Sequence, residues 1–217
     1  MKNIIVMGGL GSGMIASSII DHYPDLSLLG LINDGFPVGT ELGKFTKIKV
    51  VGSSADVPKF LEDKDTFVIL AYKTMKKEKE MWEQYMEMNL PKNKLINLFH
   101  PTSIRPLGYC QVGNGILMAA NSQLSADTVL SDSCMLFGNA FVGHDSFIGE
   151  YVTIANNASI GAEVVVGNAV HIGSNCTIRQ KVKIGDYSLI GMGSLVLGDI
   201  PENCIAAGVP AKVIKYK

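Results

Sequence analysis

Hydrophobic positions follow two different patterns along this chain of 217 residues. In the first hundred residues, short apolar runs alternate with segments rich in helix-forming residues, and turns rich in Gly, Asn and Asp separate them. Short apolar runs bounded by such turns are typical of buried strands. The pattern predicts strands at residues 3–7, 26–33, 48–51, 66–71 and 95–99, and helices at 14–22 and 75–88. Strands that alternate with helices favour an α/β fold, here a small parallel sheet.

The second predicted helix is amphipathic. Its charged residues fall on one side, which leaves an apolar side to pack on the sheet. The residues available for that packing are Met75, Met81, Trp82, Tyr85 and Met88.

From residue 112 to residue 201 the pattern changes to a strict period of six. Every sixth residue from Val112 to Val196 is aliphatic or Met, and the residue four positions after each of these is never charged or aromatic. A fixed short period of this kind is typical of a parallel β-helix built from hexapeptide repeats. Three hexads close one triangular coil, so fifteen hexads predict five coils. Residues 202–217 end the repeat and are expected to cap the rod.

The corners of such a coil need permissive backbone, which we expect Gly, Asn and Asp to provide. Eight hexads carry a glycine directly after the aliphatic residue, and Asn or Asp stands nearby. These residues are Gly113, Gly143, Gly149, Gly161, Gly167, Gly173, Gly185 and Gly191, with Asn114, Asp132, Asn168, Asn175 and Asp186.

Composition narrows the classes of partner. A formal net charge of −1 gives no basic surface for nucleic acid, and no apolar run is long enough to span a membrane. The apolar run before Gly8 is too short for a secretory signal, so we expect a cytoplasmic protein. Cys134 and Cys176 occupy the small-residue register, seven hexads apart, and are expected to be reduced, buried and on different faces of the coil.

Four features occur here in one order: the loop GGLGSG at residues 8–13, the six-residue repeat, the turn Gly143-His144-Asp145 and the tail GVPAK at residues 208–212. In this combination the chain resembles the sialic acid O-acetyltransferase-like sugar acyltransferases. It is similar to the N-acetyltransferases that act on nucleotide-linked amino sugars in bacterial glycan biosynthesis. The resemblance implies a left-handed coil, an acyl-CoA donor, a homotrimer and an active site between neighbouring rods.

The resemblance also implies that the two parts of the chain have different roles. Residues 1–100 would form an α/β unit that binds the nucleotide sugar, and residues 101–217 a left-handed β-helix that carries acyl transfer. The reaction that the resemblance implies is N-acylation, specifically N-acetylation, of the amino group of a nucleotide-linked 4-amino-4,6-dideoxy sugar.

The chemistry needs a base that accepts the proton of the attacking amine, and His suits this role near neutral pH. His144 lies two residues after Val142, at a corner where side chains project outward, and Asp145 follows it. A carboxylate beside an imidazole can orient the ring. His144 is therefore the expected general base and Asp145 its partner, although relatives often carry the longer Glu there.

Matching the relatives' donor positions places acetyl-CoA, or another acyl-CoA, near Thr153, Ser174 and Met192. Two of these depart from the relatives, in which a His and a Gly stand at the positions of Thr153 and Met192. The acyl chain therefore stays open.

The glycine loop follows a strand and precedes a helix, where backbone N–H groups can bind phosphate. The relatives place their nucleotide in this region. The substrate residues this implies are Leu10, Gly11, Ser12, Asn33, Asp34 and Ala71, and Lys73 is a further candidate for a phosphate contact.

Several alternatives remain at this point. O-acetylation of a sugar hydroxyl and a non-catalytic trimer that binds nucleotide sugar both fit the same rod. A zinc enzyme of the γ-carbonic anhydrase type needs three His ligands, whereas the repeat has only His144 and His171. We therefore expect no metal. An NAD-dependent oxidoreductase would need a larger sheet and leaves the rod unexplained.

Overall fold

The computed structural model describes residues 1–72 and 77–217, so the predictions for Lys73 and Met75 lie outside the described residues. The N-terminal unit has a five-stranded sheet. Its strands are β1 (Lys2–Met7), β2 (Leu26–Ile32), β3 (Glu41–Leu42), β4 (Ile48–Gly52) and β5 (Thr66–Leu70). Their order across the sheet is β3-β4-β2-β1-β5. Strands β1, β2, β4 and β5 pair in parallel, and the short edge strand β3 is antiparallel to β4.

Helices cover both faces of this sheet. The helices are α1 (Ser12–Ile20), α2 (Val57–Leu61) and α3 (Glu78–Glu87), with 3₁₀ turns at Ser54–Asp56 and Lys92–Lys94. Successive residues of β1 point to opposite faces, so Ile4 packs in the cluster with α1, and Ile5 in the cluster with α2 and α3. Both predicted helices are confirmed, and α2 is an element that the apolar pattern did not predict.

The prediction of a last strand of this sheet at residues 95–99 is wrong. Only Leu98–Phe99 is a strand, and it pairs with Leu117–Met118 of the following β-helix. Its connection to the small sheet is a single bridge between Val68 and Leu95. The side chain of Asn97 explains the change of sheet, because its amide donates to the carbonyl of Gly113 and accepts from the N–H of Ile116.

The second part of the chain is a left-handed parallel β-helix of hexapeptide repeats, as predicted. Five strands from the repeat stack on each of three faces, which confirms five coils. The first face contains Cys110–Val112, Thr128–Leu130, Phe147–Ile148, Val165–Val166 and Lys183–Ile184. The second contains Leu117–Met118, Met135–Leu136, Thr153–Ile154, His171–Ile172 and Leu189–Ile190. The third contains Gln123–Leu124, Phe141–Val142, Ser159–Ile160, Thr177–Ile178 and Leu195–Val196.

Both predicted registers line the interior of this rod. From Met118 to Val196 every member of the aliphatic register is buried, and so is every member of the small-residue register from Ile116 to Ile200. Cys134 and Cys176 are buried thiols, as predicted. They precede strands of the second and third faces, so they do lie on different sides of the rod.

The corners depend on glycine in a different way from the one predicted. The residue with positive φ lies three positions after the aliphatic residue, and it is seldom glycine: φ is 57° at Asp145 and 58° at Tyr151. The eight glycines directly after the aliphatic residues have no positive φ. They are required because the next coil passes close by, and a Cβ at Gly161 would lie 2.6 Å from the backbone nitrogen of Gln180.

Asn and Asp side chains that approach these glycines from the neighbouring coil join successive coils. The side-chain oxygen of Asp132 accepts a hydrogen bond from the N–H of Asn114 at 2.8 Å, and Asp186 accepts one from Asn168 at 2.6 Å. Of the five predicted corner residues, only Asn175 has a positive φ.

Since three hexads close a coil, every third corner lies on the same edge of the rod. The three edges differ sharply in the residues with positive φ. The asparagine edge has Asn121, Asn139, Asn157, Asn175 and Gly193; the charged edge has Asp127, Asp145, Glu163 and Lys181; the covered edge has Gly115, Ser133, Tyr151, Ala169 and Tyr187.

Helix α3 lies along the covered edge. Tyr85 of α3 contacts Ser133, and both Trp82 and Tyr85 contact Tyr151. Glu78, at the start of the helix, and the carbonyl of Tyr187 both bond to the ammonium group of Lys217. Ten helical residues span about 15 Å, and four stacked coils span about 14 Å from first to last. The helix is therefore long enough to run along the four corners from Ser133 to Tyr187. Its direction is antiparallel to that in which the coils follow one another.

The tail continues the second face. Strand Cys204–Gly208 adds in parallel to Leu189–Ile190, and Ala211–Tyr216 returns antiparallel beside it. Cys204 and Ala206 belong to the rod's buried core. The tail therefore covers the last coil on one side, in line with its predicted role as a cap.

Candidate functional site

The glycine loop lies at the carboxyl ends of the parallel strands. Close packing shapes it: a Cβ at Gly8 would lie 2.8 Å from the carbonyl oxygen of Ala71, and one at Gly9 would lie 2.8 Å from the amide nitrogen of Asn33. Gly11, with φ of 82°, lies in open space. Helix α1 begins at Ser12, whose hydroxyl donates to the carbonyl of Ala71.

Asn33 and Asp34 end β2 and differ in what they leave available. The amide of Asn33 donates to the carbonyl of Gly8 at 3.0 Å and accepts from the N–H of Gly35 at 2.8 Å, so Asn33 holds the loop in shape. One carboxylate oxygen of Asp34 accepts from the N–H of Ser54 at 2.7 Å. The second oxygen accepts no hydrogen bond from the residues that the structure describes, which leaves it available to a ligand.

Two cavities open at this edge of the sheet. One, of about 340 Å³, is lined by the glycine loop and the turn after β2, and the other, of about 450 Å³, lies between the sheet, α3 and the rod. Met7, Asp34 and Tyr72 line both, so the cavities form one cleft. The crevice beyond the carboxyl ends of the strands is where open α/β sheets bind ligands.

The cleft brings together most of the residues predicted for the substrate. Leu10, Asn33 and Asp34 line the smaller cavity. Gly11, Ser12 and Ala71 lie in or against the loop that forms its wall rather than in the lining itself.

The larger cavity includes tyrosines that the sequence analysis did not identify. The rings of Tyr85 and Tyr151 stack with centroids 5.0 Å apart, and the hydroxyl of Tyr151 donates to the carbonyl of Tyr72 at 3.0 Å. Burial raises the pKa of both Tyr85 and Tyr151, so both stay neutral near pH 7. Sorting the corner residues by every third hexad would have indicated that Tyr151 and Tyr187 share an edge.

His144 and Asp145 lie at a corner of the charged edge. Nδ1 of His144 is 2.6 Å from a carboxylate oxygen of Asp145, and the two side chains are 58% and 55% exposed. The shorter Asp therefore does reach the imidazole. With Nδ1 engaged, Nε2 is the ring nitrogen left to exchange a proton with a ligand.

The residues predicted for the acyl donor are divided between two places. Ser174 and Met192 occupy equivalent corners of consecutive coils on the asparagine edge, and the N–H of Gly193 donates to the carbonyl of Ser174 at 2.8 Å. Met192 is largely exposed. Thr153 instead lies on the second face, where its buried hydroxyl has no hydrogen-bond partner among the described residues and borders a small cavity beside Glu78 and Met81.

Apart from Thr153, the residues predicted for the nucleotide sugar, for base catalysis and for the acyl donor thus lie in three different places. The cleft adjoins the covered edge, His144 and Asp145 lie on the charged edge, and Ser174 and Met192 lie on the asparagine edge. Neither His144 nor Asp145 lines the cleft of its own chain.

Within residues 1–72 and 77–217, no three His, Cys, Asp or Glu residues are grouped so that they could hold a metal ion. Within the same ranges, none of the helices has the length and apolar character needed to cross a membrane.

Residues 163–198 match the family model for the bacterial transferase hexapeptide (six repeats). No curated protein matches the chain. Among solved structures, WeeI from Acinetobacter baumannii AYE is similar, with a TM-score of 0.80 at 21% identity over 99% of this chain and 100% of that one.

Two further structures share the whole fold. A mutant of perosamine N-acetyltransferase from Caulobacter crescentus, in complex with CoA and GDP-perosamine, has a TM-score of 0.71 at 17% identity and covers 99% of this chain and 98% of its own. The acetyltransferase domain of PglB from Neisseria gonorrhoeae FA1090, in complex with acetyl coenzyme A, has a TM-score of 0.61 at 20% identity, covering 98% and 99%. These similarities confirm the predicted fold.

Proposed function

We propose that this protein transfers an acyl group from acyl-CoA to the amino group of a nucleotide-linked 4-amino-4,6-dideoxy sugar. The observation that carries the proposal is the contact between His144 and Asp145 on an exposed edge of a hexapeptide-repeat rod. The ligands named for two proteins of the same fold, CoA with GDP-perosamine and acetyl-CoA, support the substrate classes.

In the proposed reaction His144 is the general base. Nε2 accepts a proton from the amine as its nitrogen attacks the thioester carbonyl, and Asp145 holds the ring through Nδ1. The new carbon–nitrogen bond forms, the carbon–sulfur bond breaks, and CoA leaves as its thiol form after protonation. In this scheme His144 and Asp145 act without a metal ion.

We propose that the cleft binds the nucleotide part of the acceptor. Backbone N–H groups of the loop around Gly11 suit a diphosphate at the start of α1. The free carboxylate oxygen of Asp34 suits a ribose hydroxyl or a base N–H. In this scheme residues 1–100 bind the nucleotide sugar and residues 101–217 carry acyl transfer.

We propose that the active site is shared between copies in a homotrimer. The cleft and His144 lie on different edges of one rod, so a neighbouring copy is needed to bring them together. The outward side chains of Phe141, Phe147 and Val165 flank the charged edge and are 38%, 45% and 41% exposed. Apolar side chains grouped in this way suit burial against a second rod.

We place the acyl donor near Ser174 and Met192, which are adjacent on consecutive coils. Thr153 lies apart from them on the second face with its side chain buried, so we leave it out of the proposed donor site. We also propose a cytoplasmic location, where acyl-CoA and nucleotide sugars are available.

A CoA-release assay tests the proposal with a panel of UDP-, GDP- and dTDP-linked sugars, each as the 4-amino and the 4-hydroxy form. We expect release with at least one amino sugar and none with its hydroxy counterpart. Release with hydroxy sugars alone would indicate an O-acyltransferase, and no release with any member would favour a binding protein. The mass in solution tests the trimer, which a stable monomer at micromolar concentration would refute.

A further inference from the structure

Helix α3 is the outer wall of the larger cavity. It contributes Met81, Gln84, Tyr85 and Glu87 to the lining, and Met88 directly after the helix also lines the cavity. The position of this one helix therefore sets the width of the cavity, and whatever fixes the helix also fixes the cavity.

A buried ion pair joins the start of this helix to the end of the tail. Nζ of Lys217 lies 2.5 Å from a carboxylate oxygen of Glu78, and the two side chains are only 12% and 7% exposed. The same Nζ donates to the carbonyl of Tyr187 on the covered edge. Asn203 holds the backbone of Lys217 through hydrogen bonds at 2.9 and 3.1 Å.

The middle of the helix is attached to the rod separately. Tyr85 bonds to Ser133 at 2.9 Å and stacks on Tyr151, whose hydroxyl bonds to the backbone of Tyr72 at the mouth of the cleft. The ion pair thus attaches the first turn of α3 to the tail, apart from these contacts of Tyr85. Removing one member would also leave a buried charge without its partner, which proteins tolerate poorly.

We propose that Lys217 is a positioning residue for substrate binding: through Glu78 it holds α3 in place as the wall of the cleft. The inference rests on the proposed function, because it assigns the cleft to the nucleotide. Its consequence is selective. Loss of the ion pair should weaken nucleotide binding, whereas binding of acyl-CoA, placed on the asparagine edge, should not change.

The test uses Lys217→Met, Glu78→Gln and the exchanged pair Lys217→Glu with Glu78→Lys, with Lys217→Arg as the conservative variant. The pair Glu163 and Lys181 on the charged edge, 3.5 Å apart and exposed, offers Glu163→Gln as a matched control. Binding is measured by calorimetry with UDP, GDP and dTDP, and separately with CoA. The position of α3 is followed by amide exchange over residues 78–87 and by emission of Trp82, the single tryptophan of the chain.

We expect Lys217→Met and Glu78→Gln to raise the Kd of the bound nucleotide at least fivefold, to leave the Kd of CoA within twofold, and to speed exchange in α3. Lys217→Arg should restore most of the affinity, and the exchanged pair part of it. Faster exchange in α3 with unchanged nucleotide affinity would show that the ion pair only stabilises the fold, and equal effects from Glu163→Gln would also overturn the inference.

Failure of the two proposals is distinguishable. If the wild-type protein binds none of the three nucleotides, the nucleotide assignment of the cleft fails, and the role of Lys217 in substrate binding fails with it. Exchange in α3 and emission of Trp82 then still decide whether the ion pair holds the wall, because neither measurement needs a ligand.

Discussion

The charged edge and the covered edge of the rod have the same backbone and different roles. Asp145 and Tyr151 occupy the same position of consecutive hexads with φ values of 57° and 58°. Yet Asp145 is exposed and holds an imidazole, whereas Tyr151 is buried under α3. The repeat fixes where each corner lies, and the residue at the corner then decides whether it meets a helix, solvent or a ligand.

The largest expected effect comes from removing the imidazole on the charged edge. His144→Ala should lower kcat/KM at least 10²-fold, the usual scale for loss of a general base. The thermal midpoint should stay within experimental error, because the side chain is mostly exposed. Kinetics with the best amino-sugar substrate, together with a thermal melt, check both points.

The control for that variant is Gln180→Ala, which changes the equivalent corner two coils further along the same edge. Activity of His144→Ala equal to that of Gln180→Ala would remove His144 from the mechanism and leave the charged edge without a catalytic role.

The next largest effect is expected where consecutive coils approach each other closely. Gly161→Ala should destabilise the rod by about 1–3 kcal/mol, because the new Cβ would press on the backbone of the next coil at 2.6 Å. Gly198→Ala is the matched change, since a Cβ there meets nothing within 4 Å. Urea unfolding measures both, and similar free energies of unfolding for the two variants would contradict the close-approach explanation.

A smaller effect is expected at the partner of the imidazole. Asp145→Asn keeps a residue that tolerates positive φ but removes the charge. We expect kcat to fall about tenfold, which corresponds to about 1.4 kcal/mol. The control is Asp127→Asn on the preceding coil of the same edge, and an equal loss of activity in both variants would argue against a specific role for Asp145.

The smallest effect concerns the coil that contains Ser133 of the covered edge. Burial alone would raise the pKa of Asp132, but the Lys92 ammonium at 2.7 Å and the N–H of Asn114 outweigh it, and the pKa is lowered. A lowered carboxyl pKa stabilises the folded state above the unfolded value of about 3.9, and this contribution is lost as the pH falls through the folded value.

Asp132→Asn should therefore cost at most about 1 kcal/mol at pH 7, because Lys92 is largely exposed, and the difference from wild type should shrink as the pH approaches 3. Urea unfolding at pH 7, 5 and 3 measures it. A difference that stays constant over this range would mean that the charge of Asp132 contributes nothing.

The rod could be predicted almost residue by residue because its information is local. Two registers, six residues apart and repeated, determine which side chains point inward, and the structure buries both. The strand expected at residues 95–99 failed for the opposite reason, since the side chain of Asn97 decides its sheet by bonding to Gly113 and Ile116.

In the candidate site too, residues with a local signal could be predicted, and residues joined by long-range contacts could not. The loop around Gly11 and the turn at Asp34 were found because each directly follows a strand. The tyrosines of the larger cavity were not found, since the bond between Tyr151 and Tyr72 joins residues that are 79 positions apart. Helix α2 did have a local signal, the capping box formed by Ser53 and Asp56 with a proline in the first turn that follows.

The pairing of Lys217 with Glu78 has a consequence for how this protein can change length. An insertion of one complete coil of 18 residues would keep every inward register intact and would add about 4.8 Å to the rod. Helix α3 cannot lengthen with it, so Lys217 would be carried beyond the reach of Glu78. The length of α3 thus matches the number of coils between Ser133 and Tyr187, and a change in that number would break the ion pair unless α3 changed in length as well.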